Sequence, residues 1–203
     1  MSQIALPLRT GSDAPARIVL GSANAGLFEA FHTASDWPFR TAVLSGPSRS
    51  GKSLLAEWFA AEGLGEAIDD AQNLDETELF HRWNRAQEAG TALLLVNGAA
   101  GPWTIALPDL ASRLGAALHL EVGPPDDAML AELIALHAEA RGLSLGPDAA
   151  AYLVPRCERS HLAVERLVET IDRLSLERKL PPTQGLWRDA LEELNGPREP
   201  RLI

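Results

Sequence analysis

Gly46-Pro47-Ser48-Arg49-Ser50-Gly51-Lys52-Ser53 is a run of one glycine, four variable residues, a second glycine, a lysine and a hydroxyl residue. That order suits the grip on a polyphosphate. Glycines let a backbone curl so that its N–H groups converge on phosphate oxygens, and a following helix adds its positive end. A lysine in this place reaches the outer phosphates and the hydroxyl of Ser53 ligates magnesium. Further on, Asp69 and Asp70 follow an isoleucine. After a strand, the first acid would hold the metal and the second would orient or deprotonate water, whereas alone the pair reads as a solvated turn. Asn97 ends the apolar run Leu93-Leu94-Leu95-Val96. It is either a polar sensor of the terminal phosphate or a turn asparagine before Gly98.

These residues need elements to carry them. Thr41 to Ser45 is a short apolar run ending at the glycine loop, as a buried strand does. A helix is expected over 54–62, a weak strand over 67–69, and a helix opening at Asp75 with Glu78 as its capping partner. The apolar face of that helix is Leu79, Phe80, Trp83 and Ala86, and Gly90 ends it. Strands are expected over 92–96 and 117–122, with a short helix over 107–114 that has Pro108 in its first turn. An earlier helix, capped by Ser22 or Asn24, should run to about Ser35. Alternating strands and helices imply an α/β layer with a parallel sheet. After Pro124-Pro125 only helical patterns follow, at about 126–141, 147–154, 160–178 and 183–194. The expected organisation is thus an arm over 1–16, an α/β nucleotide-binding domain over 17–123 and a helical domain over 124–203.

Composition narrows the class. The 203 residues carry a formal charge of −10, which disfavours a DNA-gripping surface. Cys157 is the single cysteine, so no internal disulfide can form. No signal-like terminus or apolar run long enough for a membrane is present, and a cytoplasmic protein is expected.

The phosphate loop, Ile68-Asp69-Asp70-Ala71-Gln72 and Leu107-Pro108-Asp109-Leu110-Ala111-Ser112-Arg113-Leu114, in this order, resemble the AAA+ ATPases related to the bacterial replication initiator DnaA, and Hda-type regulators within them. The resemblance spans roughly residues 2–195. It implies a P-loop AAA+ core followed by an all-helical lid, with ADP or ATP and Mg2+ as cofactors. It implies that Arg113, otherwise a charge favoured at a helix C-terminus, is an arginine finger for a neighbouring subunit's nucleotide. It also implies that Gln3, Ile4, Leu6, Pro7 and Leu8, otherwise a frayed terminus, dock on the sliding clamp of the replicative polymerase. The implied function is stimulation of ATP hydrolysis on DnaA, with DnaA and the clamp as partners, possible homo-oligomers, no direct DNA binding and no membrane. The alternative is an autonomous AAA+ ATPase or a DnaA-type adaptor with another partner.

Two departures from the family pattern stand out. Only residues 54–68 separate the phosphate loop from the acidic pair, so one βα unit is missing, with the sheet edge as the expected place. In the lid, Leu162 takes the position where the family often has an arginine, with His161, Arg159 and Arg166 nearby. Slow intrinsic turnover is expected, with Asp70 and Asn97 as its residues.

Overall fold

The computed structural model describes residues 6–7, 17–99 and 101–196. The chain divides into two compact units between Gly123 and Pro124. In the first, two-residue strands β1 (Leu6–Pro7) and β2 (Arg17–Ile18) pair antiparallel. Within the arm, Leu6 and Pro7 thus pair with Ile18 and Arg17. Gln3, Ile4 and the Leu8 position lie outside the described residues. Helix α1 covers Ala25–His32. It stops short of Ser35 because the Thr33 hydroxyl bonds back to the Ala30 carbonyl and the chain tightens into a 3-10 turn over Ala34–Asp36.

The sheet comprises β3 (Thr41–Ser45), β4 (Glu66–Ile68), β5 (Leu93–Val96) and β6 (Leu118–Glu121). Its order is β4-β5-β3-β6, and every pairing is parallel. Three helices connect the strands: α2 (Lys52–Ala61), α3 (Glu76–Ala89) and α4 (Pro108–Gly115). The strand period of two sorts the side chains onto the two faces. Ala42, Leu44, Leu94 and Val96 pack with Leu27 and Phe31 of α1 and Leu55 and Phe59 of α2. Val43, Leu93 and Leu95 pack with Leu79 and Trp83 of α3 and Leu110 and Leu114 of α4. Buried on both faces, β5 has no polar position, as a central parallel strand requires. The acidic strand β4 lies at the sheet edge, where the shortened connection predicted the loss of a unit.

Gly65 reads in the sequence as a weakness of that strand. The structure gives it a purpose: a Cβ there would stand 2.3 Å from the Ala92 carbonyl oxygen and 2.9 Å from the Phe59 ring. Only glycine lets β4 approach β5 so closely, and Glu66 N–H then donates to Ala92 at 2.8 Å.

The second unit is all helix: α5 (Asp127–Ala140), α6 (Pro147–Leu153), α7 (His161–Arg178) and α8 (Gln184–Asn195). Asp126 and Ser160 cap α5 and α7 through the N–H groups of Met129 and Ala163. Met129, Leu130, Ile134, Val164, Val168 and Ile171 form its buried seam. No helix among the described residues is long and apolar enough to cross a membrane.

Candidate functional site

Because the strands are parallel, the C-terminal ends of β3, β4 and β5 fall on one edge of the sheet. Gly46 follows β3, Asp69 follows β4 and Asn97 follows β5. The order places β5 on one side of β3 and β6 on the other, with the connection from β5 to β6 running through α4. Such a reversal opens a crevice at the carboxyl ends of strands.

The loop from Gly46 to Gly51 turns sharply between β3 and α2. Gly46 has φ 149° and lies against Val122, whose Cβ would be 2.9 Å from a side-chain carbon there. Arg49 (φ 64°) and Gly51 (φ 83°) turn left-handed just before α2 begins at Lys52. Lys52 is 6% exposed, and its Nζ donates to the carbonyls of Gly46 and Pro47, each at 2.9 Å. Burial lowers its pKa, and the charges of Asp69 and Asp70 raise it in smaller measure. Both acids are therefore within electrostatic reach of the ammonium. The Ser50 hydroxyl is buried without a hydrogen-bond partner, while Ser53 is exposed at the first turn of α2. A curled loop, a buried cation and an unsatisfied hydroxyl suit an anion whose oxygens take over the lysine's bonds.

The acids sit on a strained turn. Asp70 adopts φ 48° and leads into a 3-10 turn over Ala71–Asn73. Its N–H donates to Asp69 Oδ1 at 3.0 Å. Gln72 Nε2 donates to Asp70 Oδ1 at 3.3 Å, and Gln72 Oε1 accepts the Gly98 N–H at 2.8 Å. Gln72 thus ties the acidic turn to the loop after β5. Asn97 is buried, with its N–H on the Leu44 carbonyl. Its side chain donates to the Gly101 carbonyl and accepts from the Ala99 N–H, so the amide is engaged in shaping its own loop. The described residues contain no cluster of three or more His, Cys, Asp or Glu suited to a metal. Asp69 with the Ser53 hydroxyl is the candidate pair for magnesium.

Arg113 lies at the opposite end of the sheet. It ends α4 just before β6 starts, and its guanidinium carbon stands 4.7 Å from the Phe80 ring centroid and 4.3 Å from that of Trp83. Its Nη1 donates to Asn84 Oδ1 at 3.1 Å. Trp83 in turn donates from Nε1 to Thr41 Oγ1, at the start of β3. Thr41 and Ser45 are separated by about 13 Å at the usual strand rise. Arg113 therefore stands a sheet's length from the loop that holds Lys52.

Residues 126–183 match the family model described as Hda, lid domain. The chain is similar in structure to domain III of the replication initiation protein DnaA from Thermotoga maritima. The two share 15% identity and a TM-score of 0.69, over 89% of this chain and 95% of that one. It is also similar to AMPPCP-bound DnaA from Aquifex aeolicus, at 16% identity and TM-score 0.59, over 88% and 68%. A third likeness is to the RuvB Holliday junction branch migration motor of Thermotoga maritima, at 19% identity and TM-score 0.60, over 87% and 70%. Residues 126–183 thus match an Hda lid, and the chain shares its fold with these DnaA and RuvB structures.

Within the Hda-type lid, the two arginines near Leu162 have other surroundings. Arg159 pairs with Asp127 of α5 at 2.6 Å. Arg166 lines a cavity of about 130 Å³ together with Leu162, Cys157 and Leu194. Burial raises the Cys157 thiol pKa, as expected for a packing residue.

The α/β unit also contains a feature that sequence reasoning missed. A cavity of about 810 Å³ opens beside the phosphate loop, lined by Ser45, Gly46, Asn97, Trp103, His119 and Glu121 among others. Its walls include Gly46 and Pro47 of the phosphate loop but not Lys52, Ser53 or the acidic pair, so it adjoins the phosphate cradle. Trp103 and Glu121 come together only through the loop after β5 and the register of β6, which no local pattern encodes.

Proposed function

We propose that this protein is an Hda-like regulator of replication initiation that holds an adenine nucleotide and promotes hydrolysis of ATP bound to DnaA. The observation that carries this reading is the separation of Arg113 from Lys52 by the length of β3. An arginine so far from its own phosphate loop is out of reach of its own nucleotide, which supports a role toward another chain's. A guanidinium suits that service because it is planar and always charged, and it steadies charge spread over a transferring phosphoryl group.

Lys52, with the curled backbone of residues 46–51, would bind the phosphates of ADP or ATP. Ser53 and Asp69 would hold Mg2+, which supplies charge neutralisation at the phosphate oxygens. Asp70 would orient water. The Asn97 amide would have to leave its two loop bonds to touch a phosphate, which favours retention of nucleotide over rapid turnover. Residues 3–8 would dock on the sliding clamp as an extended peptide whose apolar side chains fill pockets.

The test is conversion of DnaA-bound ATP to ADP, followed over time with DNA-loaded clamp and with wild type, Arg113→Ala or a chain lacking residues 1–9. Wild type should accelerate conversion and both variants should fail. Equal stimulation by Arg113→Ala would remove the finger, and equal stimulation by the truncated chain would remove the clamp peptide. The assembly of Lys52, Asp70 and Asn97 at one sheet edge favours a second reading, an autonomous ATPase. Turnover by the purified chain alone, undiminished by Arg113→Ala, would select it.

A further inference from the structure

Phe39 is held in a conformation that bulky residues avoid, and it is held there with its ring outside. Its φ is 51°, and Arg40 follows at 46°, two consecutive left-handed residues with side chains. Phe39 is 53% exposed, the one exposed large apolar side chain among the described residues of 17–123. The turn is over-determined. The Phe39 carbonyl accepts from Gln87 Nε2 at 2.6 Å and from Thr41 Oγ1 at 2.8 Å. Arg40 Nη1 donates to the Gly90 carbonyl at 2.5 Å, and Arg40 N–H to the Trp37 carbonyl at 2.8 Å. Groups of α3 and its C-cap draw this backbone inward and leave the phenyl ring outward. Strain of this kind persists only where surrounding contacts impose it, and it clusters at functional sites.

The ring also has a telling neighbour. Its centroid lies 6.3 Å from that of Trp83, the same indole that carries the Arg113 guanidinium at 4.3 Å. Phe39 and Arg113 thus both lie on one indole, at the strand-start end of the sheet.

We propose that Phe39 is the apolar anchor of the interface through which Arg113 enters the nucleotide cleft of an ATP-loaded AAA+ partner. This rests on the trans-acting role of Arg113 proposed above. The occupant follows from the patch's chemistry. A guanidinium asks for a planar or polyphosphate anion, and interface hot spots are enriched in arginine and in large aromatic side chains. A second copy of this chain is the weaker occupant, because two chains of charge −10 repel.

Affinity for ATP-loaded DnaA is measured at fixed salt for wild type, Phe39→Asn and Phe39→Leu, with Tm and ADP affinity for each. Asparagine tolerates the left-handed turn without a ring. The expected result for Phe39→Asn is an unchanged or raised Tm, unchanged ADP affinity and partner affinity weakened about tenfold or more. Phe39→Leu should recover much of the loss. If Phe39→Asn bound like wild type, the anchor would be overturned while the regulator reading stood. If its Tm dropped by several degrees, Phe39 would be a folding residue and the proposal would also fall. Loss of self-association with partner binding intact would assign the patch to a second copy and overturn it. Absence of binding by wild type would remove both readings together.

Discussion

The Asp70 carboxylate occupies the space that a side chain at position 98 would need: a Cβ on Gly98 would stand 1.7 Å from Asp70 Oδ1 and 3.0 Å from Gln72 Nε2. With Gln72 bridging Asp70 and the Gly98 N–H, the acidic turn and the loop after β5 are joined at one point. Gly98→Ala should therefore displace Asp70. The carboxylate can rotate away, so the cost is the broken bridge, about 1 kcal/mol. Asp70→Ala in the same background should return most of that stability. Urea denaturation of the two single variants and the double variant measures the coupling. A Gly98→Ala protein as stable as wild type would show that the two residues do not compete for this space.

Lys52 gives a pH dependence whose sign can be worked out. Burial lowers its pKa below the ordinary 10.5, with partial opposition from Asp69 and Asp70. Between the folded value and 10.5 the unfolded chain binds more protons, so this group's contribution makes stability rise with pH across that window. Nucleotide affinity should move the other way, because phosphate needs the ammonium. Binding phosphate oxygens should raise the lysine pKa, so alkaline binding should take up protons. Calorimetry of ADP binding in two buffers of different ionisation enthalpy reads this uptake, and Lys52→Ala should abolish it together with most of the affinity. Proton release in place of uptake would contradict the assignment.

The contrast between Asp75 and Asn97 explains what could be read in advance. Asp75 caps α3 by accepting from Thr77 and Glu78, and Gly90 closes the helix left-handed at φ 66°, both foreseeable from spacing within a few residues. The phosphate loop and the central strand were legible for the same reason: their chemistry is local. Asn97 was legible in position but not in use, since its partners Ala99 and Gly101 depend on how the loop folds. Gln72 was legible as the end of the acidic motif but not in use, because its value lies in a bond to Gly98, in the loop after another strand. Phe39 carried no local signal. Its strain arises from Gln87 and Gly90, about fifty positions along the chain.

Gly65 supplies a stability test of the shortened sheet edge. Alanine there would place a carbon 2.3 Å from the backbone of β5's entrance and 2.9 Å from Phe59, neither of which can yield without moving the strand or the core. Gly65→Ala should cost about 2 kcal/mol or more. Loss of amide protection should be concentrated over residues 66–68. The measurement is hydrogen exchange beside thermal unfolding. If protection at β4 were retained and the midpoint unchanged, the close approach would be wrong.

Arg113 is the residue for which folding and function should separate most clearly. Its contacts with Phe80, Trp83 and Asn84 are all on α3, and the side chain is only part-buried. Cation–π contacts at such sites contribute about 0.5–1 kcal/mol. Arg113→Ala should therefore lower stability by about 1 kcal/mol and leave ADP affinity unchanged, because Lys52 lies at the other end of the sheet. Stimulation of DnaA-bound ATP hydrolysis should fall by about 10³-fold or more if the side chain acts as a finger. Arg113→Lys is the sharper variant. An ammonium can still sit over the rings, so stability should lie between alanine and wild type, but it lacks the planar fork and should fail in trans nearly as badly as alanine. Thermal unfolding and single-turnover hydrolysis on DnaA, measured on the same three proteins, should therefore place lysine differently: midway in stability, beside alanine in stimulation. A lysine variant that fell midway in both would mean that Arg113 acts only by packing α4 on α3, and the trans role would be lost.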